Sequence, residues 1–461
     1  MALMMVLLSI VVLTVFLTEV QQQASTSFAA AISARDRLKG EYAAKSAVNL
    51  TRMLIATEPT VRAAAAPMLQ IMAAGGAKVP QIPVWSFVDQ ILAPYNCDDR
   101  KAGFADFAGV DLATGENLGL GEDTCFDVVV VDEDGLLNAN VRNDVISKQI
   151  FSAQLLALVQ GPQYDPLFSN EDADGQFTDR QTLCAAMIDW ADFDEEGDAC
   201  QPYEANNVNA GAEDNIYQSL GLGYFRKNAP YDSLEELRMV RGISDDIWAT
   251  FIDPDPQDPT KRVVTVWGQG KVNVNTANAQ TLLAVVCGDA WDSALCLDPL
   301  QQASFLQLVG LIKGFTMGLP LFGNANDFVQ MFQGKGLVGP YMEQMGIQPV
   351  QFKGNIKNSV TTKSKIFSIY AEGVHSVSGA SGAPRRETRV SAHAVVDYRN
   401  ATELNQVNPL GGLGGPGNQA GNQPSNQNDN NNNNLQNAQP TDLAAMLNSN
   451  PGGQVIYYRL Q

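Results

Sequence analysis

The sequence predicts an α+β protein with one very long N-terminal helix, an antiparallel sheet and a large inserted α-helical domain. Three observations carry this. No proline occurs before Pro59, and the first fifty-odd residues keep a loosely helical apolar spacing. Two late segments, 362–377 and 386–399, alternate as strands, with Ser378-Gly379-Ala380-Ser381-Gly382 as the turn between them. Between residues 142 and 345 the pattern is almost wholly helical.

The helix comes first. Residues 1–18 are apolar and carry no charge until Glu19. As a helix they span about 27 Å at roughly 1.5 Å per residue, close to the hydrocarbon thickness of a bilayer. A cleaved secretory signal would show a basic start and a small-residue cleavage site. Nothing basic precedes the run, and Glu19-Val20-Gln21-Gln22-Gln23 follows without a break. The expectation is one helix over residues 1–57, greasy in its first third and amphipathic beyond, with Gly40 its one weak point.

Next come residues 58–141, the first part of an α/β domain. Prolines 67, 80, 83 and 94 break helices here. Phe126–Val131 reads as a strand, Asp132-Glu133-Asp134-Gly135 as an exposed acidic turn, and Asn138-Ala139-Asn140 follows it.

The insert, 142–345, shows helices at 144–160, 178–191, 232–241, 299–313 and 324–333, and an acidic loop at 192–215. Asp232 or Ser233 suits the N-cap of the third. In Val272-Asn273-Val274-Asn275-Thr276-Ala277, Asn275 or Thr276 suits the cap of another helix starting near Ala277. Residues 346–407 hold the two alternating strands. In the second, Thr388, Val390, Ala392, Ala394 and Val396 share one face, and Arg389, Ser391 and His393 the other. Residues 408–452 are rich in Asn and Gly, with too little apolar content to offset ordering entropy, so disorder is expected. A last strand occupies 453–461. The Asn-rich stretch reads as a long loop between the last two strands, which loop-closure entropy tolerates.

Composition narrows the chemistry. Of 461 residues, 30 are basic and 50 acidic, a net charge of −20. Such a surface repels phosphate backbones. Two histidines, His375 and His393, leave little for His-based zinc sites or triads. Six cysteines, Cys97, Cys125, Cys184, Cys200, Cys287 and Cys296, allow fifteen complete pairings, and none has Cys-x-x-Cys spacing. For an exported domain disulfides are expected. We expect sequence neighbours to pair: Cys97 with Cys125, Cys184 with Cys200, Cys287 with Cys296.

The densest constellation is acidic. Residues 188–198 hold Asp189, Asp192, Asp194, Glu195, Glu196 and Asp198, and 211–217 add Glu213 and Asp214. Carboxylates this close repel unless solvated or bridged by a cation. Calcium, which takes six to eight oxygens, suits them, although the spacing is not that of an EF-hand. A solvated acidic loop explains the same residues. A carboxylate pair here would also serve a membrane-anchored periplasmic hydrolase as acid and base, but nothing fixes its separation.

Several of these segments together resemble a known family. A long helix that is membrane-embedded from its first residue is similar to mature type IV pilin-like proteins, whose fifth residue is usually Glu. Here it is Met5. The start Met1-Ala2-Leu3-Met4-Met5-Val6-Leu7 resembles the minor pseudopilin K of type II secretion systems, which lacks that glutamate. So do the strand and Asn-x-Asn run at 127–140, Asp189-Trp190-Ala191-Asp192-Phe193-Asp194, Gly211-Ala212-Glu213-Asp214 with Tyr217, Ser233–Gly242 and Val272–Leu283. The resemblance implies a pilin-like fold carrying the helical insert, and a start of numbering at or near the mature terminus. It implies a single-pass subunit of the bacterial inner membrane with a periplasmic head. That subunit would sit at the pseudopilus tip, assembling with the minor pseudopilins I and J and the other pseudopilins of the fibre. It further implies structural calcium near Asp192, Asp194, Glu213 and Asp214, with Asp189 a further candidate, and a role for Met1 and Met5 in assembly. The role would be mechanical rather than enzymatic, with no nucleic-acid partner. The Asn-rich stretch has no counterpart in that pattern. A rival reading, a membrane-anchored helix-hairpin-helix DNA-binding protein, shares the Asn-x-Asn-Thr-Ala run. It lacks basic residues after it, at Val285–Asp289.

Overall fold

The computed structural model describes residues 2–72, 80–97, 106–107, 110–111, 123–169, 171, 175–203, 215–219, 221, 223–316, 318–336, 338–354, 356–377, 386–401 and 450–461. A single helix, α1, runs Ala2–Ala56, and α2, Glu58–Met72, follows it. Residues 3–31 of α1 are exposed. From Asp36 on, one face is buried: Asp36, Gly40, Ala43, Ala44, Ala47, Val48 and Thr51 recur at intervals of three and four, the spacing of one helix face. That stripe is made of small residues, so the helix lies close on the sheet.

The sheet has four antiparallel strands in the order β4-β3-β2-β1: β1 Thr124–Asp132, β2 Ile366–Val377, β3 Arg386–Asp397 and β4 Gln454–Leu460. β1 pairs with β2 from Thr124↔His375 to Asp132↔Phe367. β2 pairs with β3 from Ile366↔Asp397 to Val377↔Arg386. β4 joins the far side of β3 with a bulge between Val455 and Tyr457. Alternation gives each strand two faces. Phe126, Val128, Phe367, Ile369, Ala371, Ala392, Ala394 and Val396 bury against α1 and against Trp85 and Val88. The opposite face is covered too, because Ile366, Val395 and Tyr457 pack into the second core. His393 sits there, stacked on Tyr370 at 4.1 Å between ring centres and beside Trp267 and Tyr457. Burial holds its imidazole down at about 3, so it stays neutral. The Asn-rich stretch expected to be disordered lies outside the described residues as far as residue 449. Residues 450–453 are described, and Arg52 of α1 donates to the carbonyls of Gly452 and Gly453 there.

The second core is a helical lobe built from α3 Val145–Val159, α4 Arg180–Ala191, α5 Ala279–Asp289, α6 Pro299–Thr316 and α7 Ala325–Phe332. Side chains cap four of these: Asp144, Asp179, Asn278 and Asn324 each accept a backbone N–H from the first turn of α3, α4, α5 and α7. The cap of α5 is therefore Asn278, and neither Asn275 nor Thr276 as the sequence suggested. Those two side chains are engaged elsewhere. Residues 232–241 also depart from expectation. They form a 3₁₀ turn at Leu234–Met239, and Ser233 makes no capping bond. α3 and α5 lie close together: a Cβ on Gly288 would sit 3.1 Å from the backbone nitrogen of Gln154. Packing of the lobe runs on past residue 345, through Ile347 and Val350 to Val360.

Candidate functional site

The lobe joins the sheet at Asp132-Glu133-Asp134, and this turn is not the exposed one the sequence suggested. Glu133 and Asp134 are buried. Each of the three acids binds a different segment. Asp132 accepts the Asp134 backbone N–H at 3.1 Å and the hydroxyls of Thr276 and Ser364. Glu133 accepts the Arg262 guanidinium at 2.8 Å and the Thr265 hydroxyl. Asp134 accepts four N–H groups: Gln269 backbone at 2.8 Å, Gln269 Nε2 at 2.6 Å, Lys365 at 2.6 Å and Ile366 at 3.1 Å. Burial, then the Asp134 charge, pushes the Asp132 carboxyl up. Burial likewise raises Asp134, against its four donors. Amide N–H groups can only donate, whereas hydroxyls also accept. Asp134 is thus the better hydrogen-bonded anion of the pair, and Asp132 the one pushed further towards its protonated form.

Two Asn-x-Asn runs lock the same junction in the same way. Leu137-Asn138 pairs in parallel with Val264-Thr265, and Val272-Asn273 with Val360-Thr361. In the first run Asn138 accepts the Asn140 N–H, and Asn140 binds Tyr231 N–H and the carbonyls of Tyr231 and Val266. In the second, Asn273 accepts the Asn275 N–H at 3.0 Å. Asn275 in turn takes the N–H groups of Leu321 and Phe322 and donates to the Phe322 carbonyl. These amides serve as internal clamps.

The acidic constellation sits at the C-terminal end of α4. Asp192 is buried and Asp194 half-exposed. A lysine the sequence reading did not single out stands between them: Lys148 Nζ is 2.7 Å from Asp192 Oδ2 and 3.2 Å from Asp194 Oδ2. It lies one α3 turn after the Asp144 cap, so only tertiary packing brings it here. Burial works against the Lys148 charge, but the two aspartates outweigh it and hold its ammonium above the ordinary lysine range. Asp189 takes another role, accepting the Asp198 N–H at 2.8 Å. Burial pushes it to about 7, helped by the charges of Asp192 and Asp198. Glu213 and Asp214 lie outside the described residues.

Whether these groups suit calcium depends on spare oxygens. Asp192 Oδ1 and Asn228 Oδ1 are buried without a partner. Asp192 Oδ1 is the kind of donor a hard cation claims. Two oxygens fall far below the six to eight calcium takes, and Lys148 already holds the aspartate pair. Among the described residues no three His, Cys, Asp or Glu side chains gather to hold a metal. The described residues alone do not make a calcium cage.

All six cysteines are bonded: Cys97–Cys125, Cys184–Cys200 and Cys287–Cys296. The second ties α4 to the strand of chain beyond the acidic turn. Met5 is exposed on α1, and Met1 lies outside the described residues. By length and composition α1 is apolar enough to cross a membrane once, near the N-terminus.

Residues 125–252 match the family model for type II secretion system (T2SS), protein K. No curated protein matches the chain. The family match spans β1, the buried acidic junction, α3, α4 and the Lys148–Asp192 pair. The match covers this part of the chain and supports a pseudopilin role in type II secretion.

Proposed function

We propose, from the match of residues 125–252 to type II secretion system protein K, that this chain is the minor pseudopilin at the pseudopilus tip. There it initiates assembly with the minor pseudopilins I and J. The observation that carries the reading is α1. Its residues 3–31 are bare and uncharged until Glu19, while the rest of the helix is welded to the sheet. Bare apolar helix needs either lipid or other helices to cover it. The anchor would lie in the inner membrane and the head in the periplasm, where three disulfides persist. Met5 supplies no carboxylate for the terminal amine of a neighbour, which suits a subunit with nothing stacked beyond it. The internal use of Asn273, Asn275 and Thr276 weighs against the DNA-binding alternative, since these side chains face other parts of the same chain. Calcium belongs to this reading as a proposal for the acidic loop, with Asp192 Oδ1 its first ligand and Glu213 and Asp214 the completing ones.

The test is affinity capture of the tagged full chain from cell membranes, with mass spectrometry of what accompanies it. Two further pilin-like proteins in near-equal amounts are expected. Met5→Glu should lengthen the set of captured pseudopilins, because it restores the carboxylate that accepts a following subunit. A lone anchored monomer would sink the tip reading.

A further inference from the structure

A cleft of about 340 Å³ opens where the lobe meets β1. Its walls are mostly apolar, with Trp85, Val130, Leu282, Val309 and Phe322 among them, while Ser86, Thr260, Asn278 and Thr316 add uncharged polar groups. Only two charged residues line it among those described, Asp132 and Lys313. Asp132 is already spent on Asp134, Thr276 and Ser364. Asn275 and Thr276, on the same wall, are spent as clamps. Lys313 differs. It projects from α6 and donates to the carbonyls of Ala277 at 2.7 Å and Thr276 at 3.3 Å. An ammonium has three protons to donate, so one remains for the cleft. No carboxylate pairs with Lys313 among the described residues. In a chain with 50 acidic and 30 basic side chains, a half-buried cation left without an anion is unusual.

We propose that this cleft binds a small apolar carboxylate, its hydrocarbon part lying against Leu282, Val309 and Phe322 and its anionic head on Lys313. Charge complementarity selects the occupant: the cation favours an anion over a neutral hydrocarbon, and the mostly apolar walls favour one with a hydrocarbon part. The volume falls at the lower end of small-molecule sites, which combine apolar walls with few polar groups. It holds a phenylalkanoic or medium-chain acid and nothing much larger. Burial pulls the Lys313 ammonium below its ordinary range, a penalty that a bound anion reverses. Because β1 and Trp85 line one side and the lobe the other, an occupant would tie the sheet and the lobe together. This inference does not depend on the tip reading.

The experiment is calorimetric titration of the full chain in lipid nanodiscs with 4-phenylbutyrate, and separately with the uncharged 4-phenylbutanamide. Empty nanodiscs provide the baseline for partition into lipid. Saturable binding of the acid is expected, with the amide at least tenfold weaker. Lys313→Met should weaken the acid at least tenfold and leave the amide unchanged. Lys313→Arg, which keeps the cation, should stay within about threefold of the parent. Acid and amide binding alike, undiminished acid binding to the Met variant, or no heat above empty nanodiscs would each overturn the proposal.

Discussion

Gly40 of α1 and Gly373 of β2 meet backbone to backbone. A Cβ placed on Gly373 would run into the Gly40 carbonyl oxygen and lie 2.6 Å from the Ala44 nitrogen. Neither obstacle is a flexible side chain that can swing away. The helix touches the sheet here because both residues lack a side chain.

Gly373→Ala should therefore destabilise the head by about 2–4 kcal/mol, at or beyond the upper range of core overpacking. Gly310, in the middle of α6, has open space around it. Gly310→Ala should stabilise by about 0.5–1 kcal/mol through helix propensity. Denaturant unfolding of both variants checks the contrast. Equal effects would show that the α1–sheet contact is looser than described.

Arg262 and Glu133 form an ion pair buried from solvent on both sides. Removing one partner strands the other, so Arg262→Met or Glu133→Leu alone should cost about 3–5 kcal/mol. The double substitution leaves no buried charge and should recover most of that loss. A double-mutant cycle on thermal unfolding measures it, and additive losses would refute the coupling.

The Asp132–Asp134 pair makes stability fall as pH rises. Burial raises the folded-state carboxyl value above the unfolded one, near 4. The folded state then binds the extra proton more tightly. Its contribution is complete below about pH 4 and is lost as pH climbs through the raised folded value. Asp189, raised to about 7, adds the same sign between about pH 4 and 7. Asp132→Asn should flatten the decline in melting temperature between pH 5 and 8. A profile unchanged by that substitution would place the titration elsewhere.

Lys148→Met removes the cation from two aspartates and should cost about 1–3 kcal/mol in the absence of metal, discounted because Asp194 is half-exposed. If calcium occupies the acidic loop, it should bind this variant more tightly than the parent and restore the melting temperature. The Asp192→Ala, Glu213→Ala double variant should lose any calcium-dependent rise. A calcium response that the double variant retains removes the metal proposal.

Much of the architecture was legible because its signals are local. The apolar run of residues 1–18 and the alternation at 386–399 each depend on a few neighbouring residues. Lys148 and the buried turn at 132–134 were not legible for the opposite reason. Three successive acids read as surface until Arg262, Thr276, Gln269 and Ser364 arrive from 129 to 232 residues away. Asn275 failed as a cap for the same cause. Its side chain answers to Phe322 rather than to the next turn of its own helix. The acidic loop remains half-read, since Glu213 and Asp214 fall outside the described residues.

The pairing of Asp132 with Phe367 bears on when the protein becomes foldable. β1 is made early and must wait for the whole lobe before its partner strand exists. β4 comes from a still later segment than β2 and β3. Such distant pairings are slow to form and leave sheet edges open meanwhile. The anchor helix is synthesised first and can lodge in lipid at once. The sheet therefore closes only after the lobe and β4 have both been made. If α1 is by then in lipid, that closure takes place on a tethered chain.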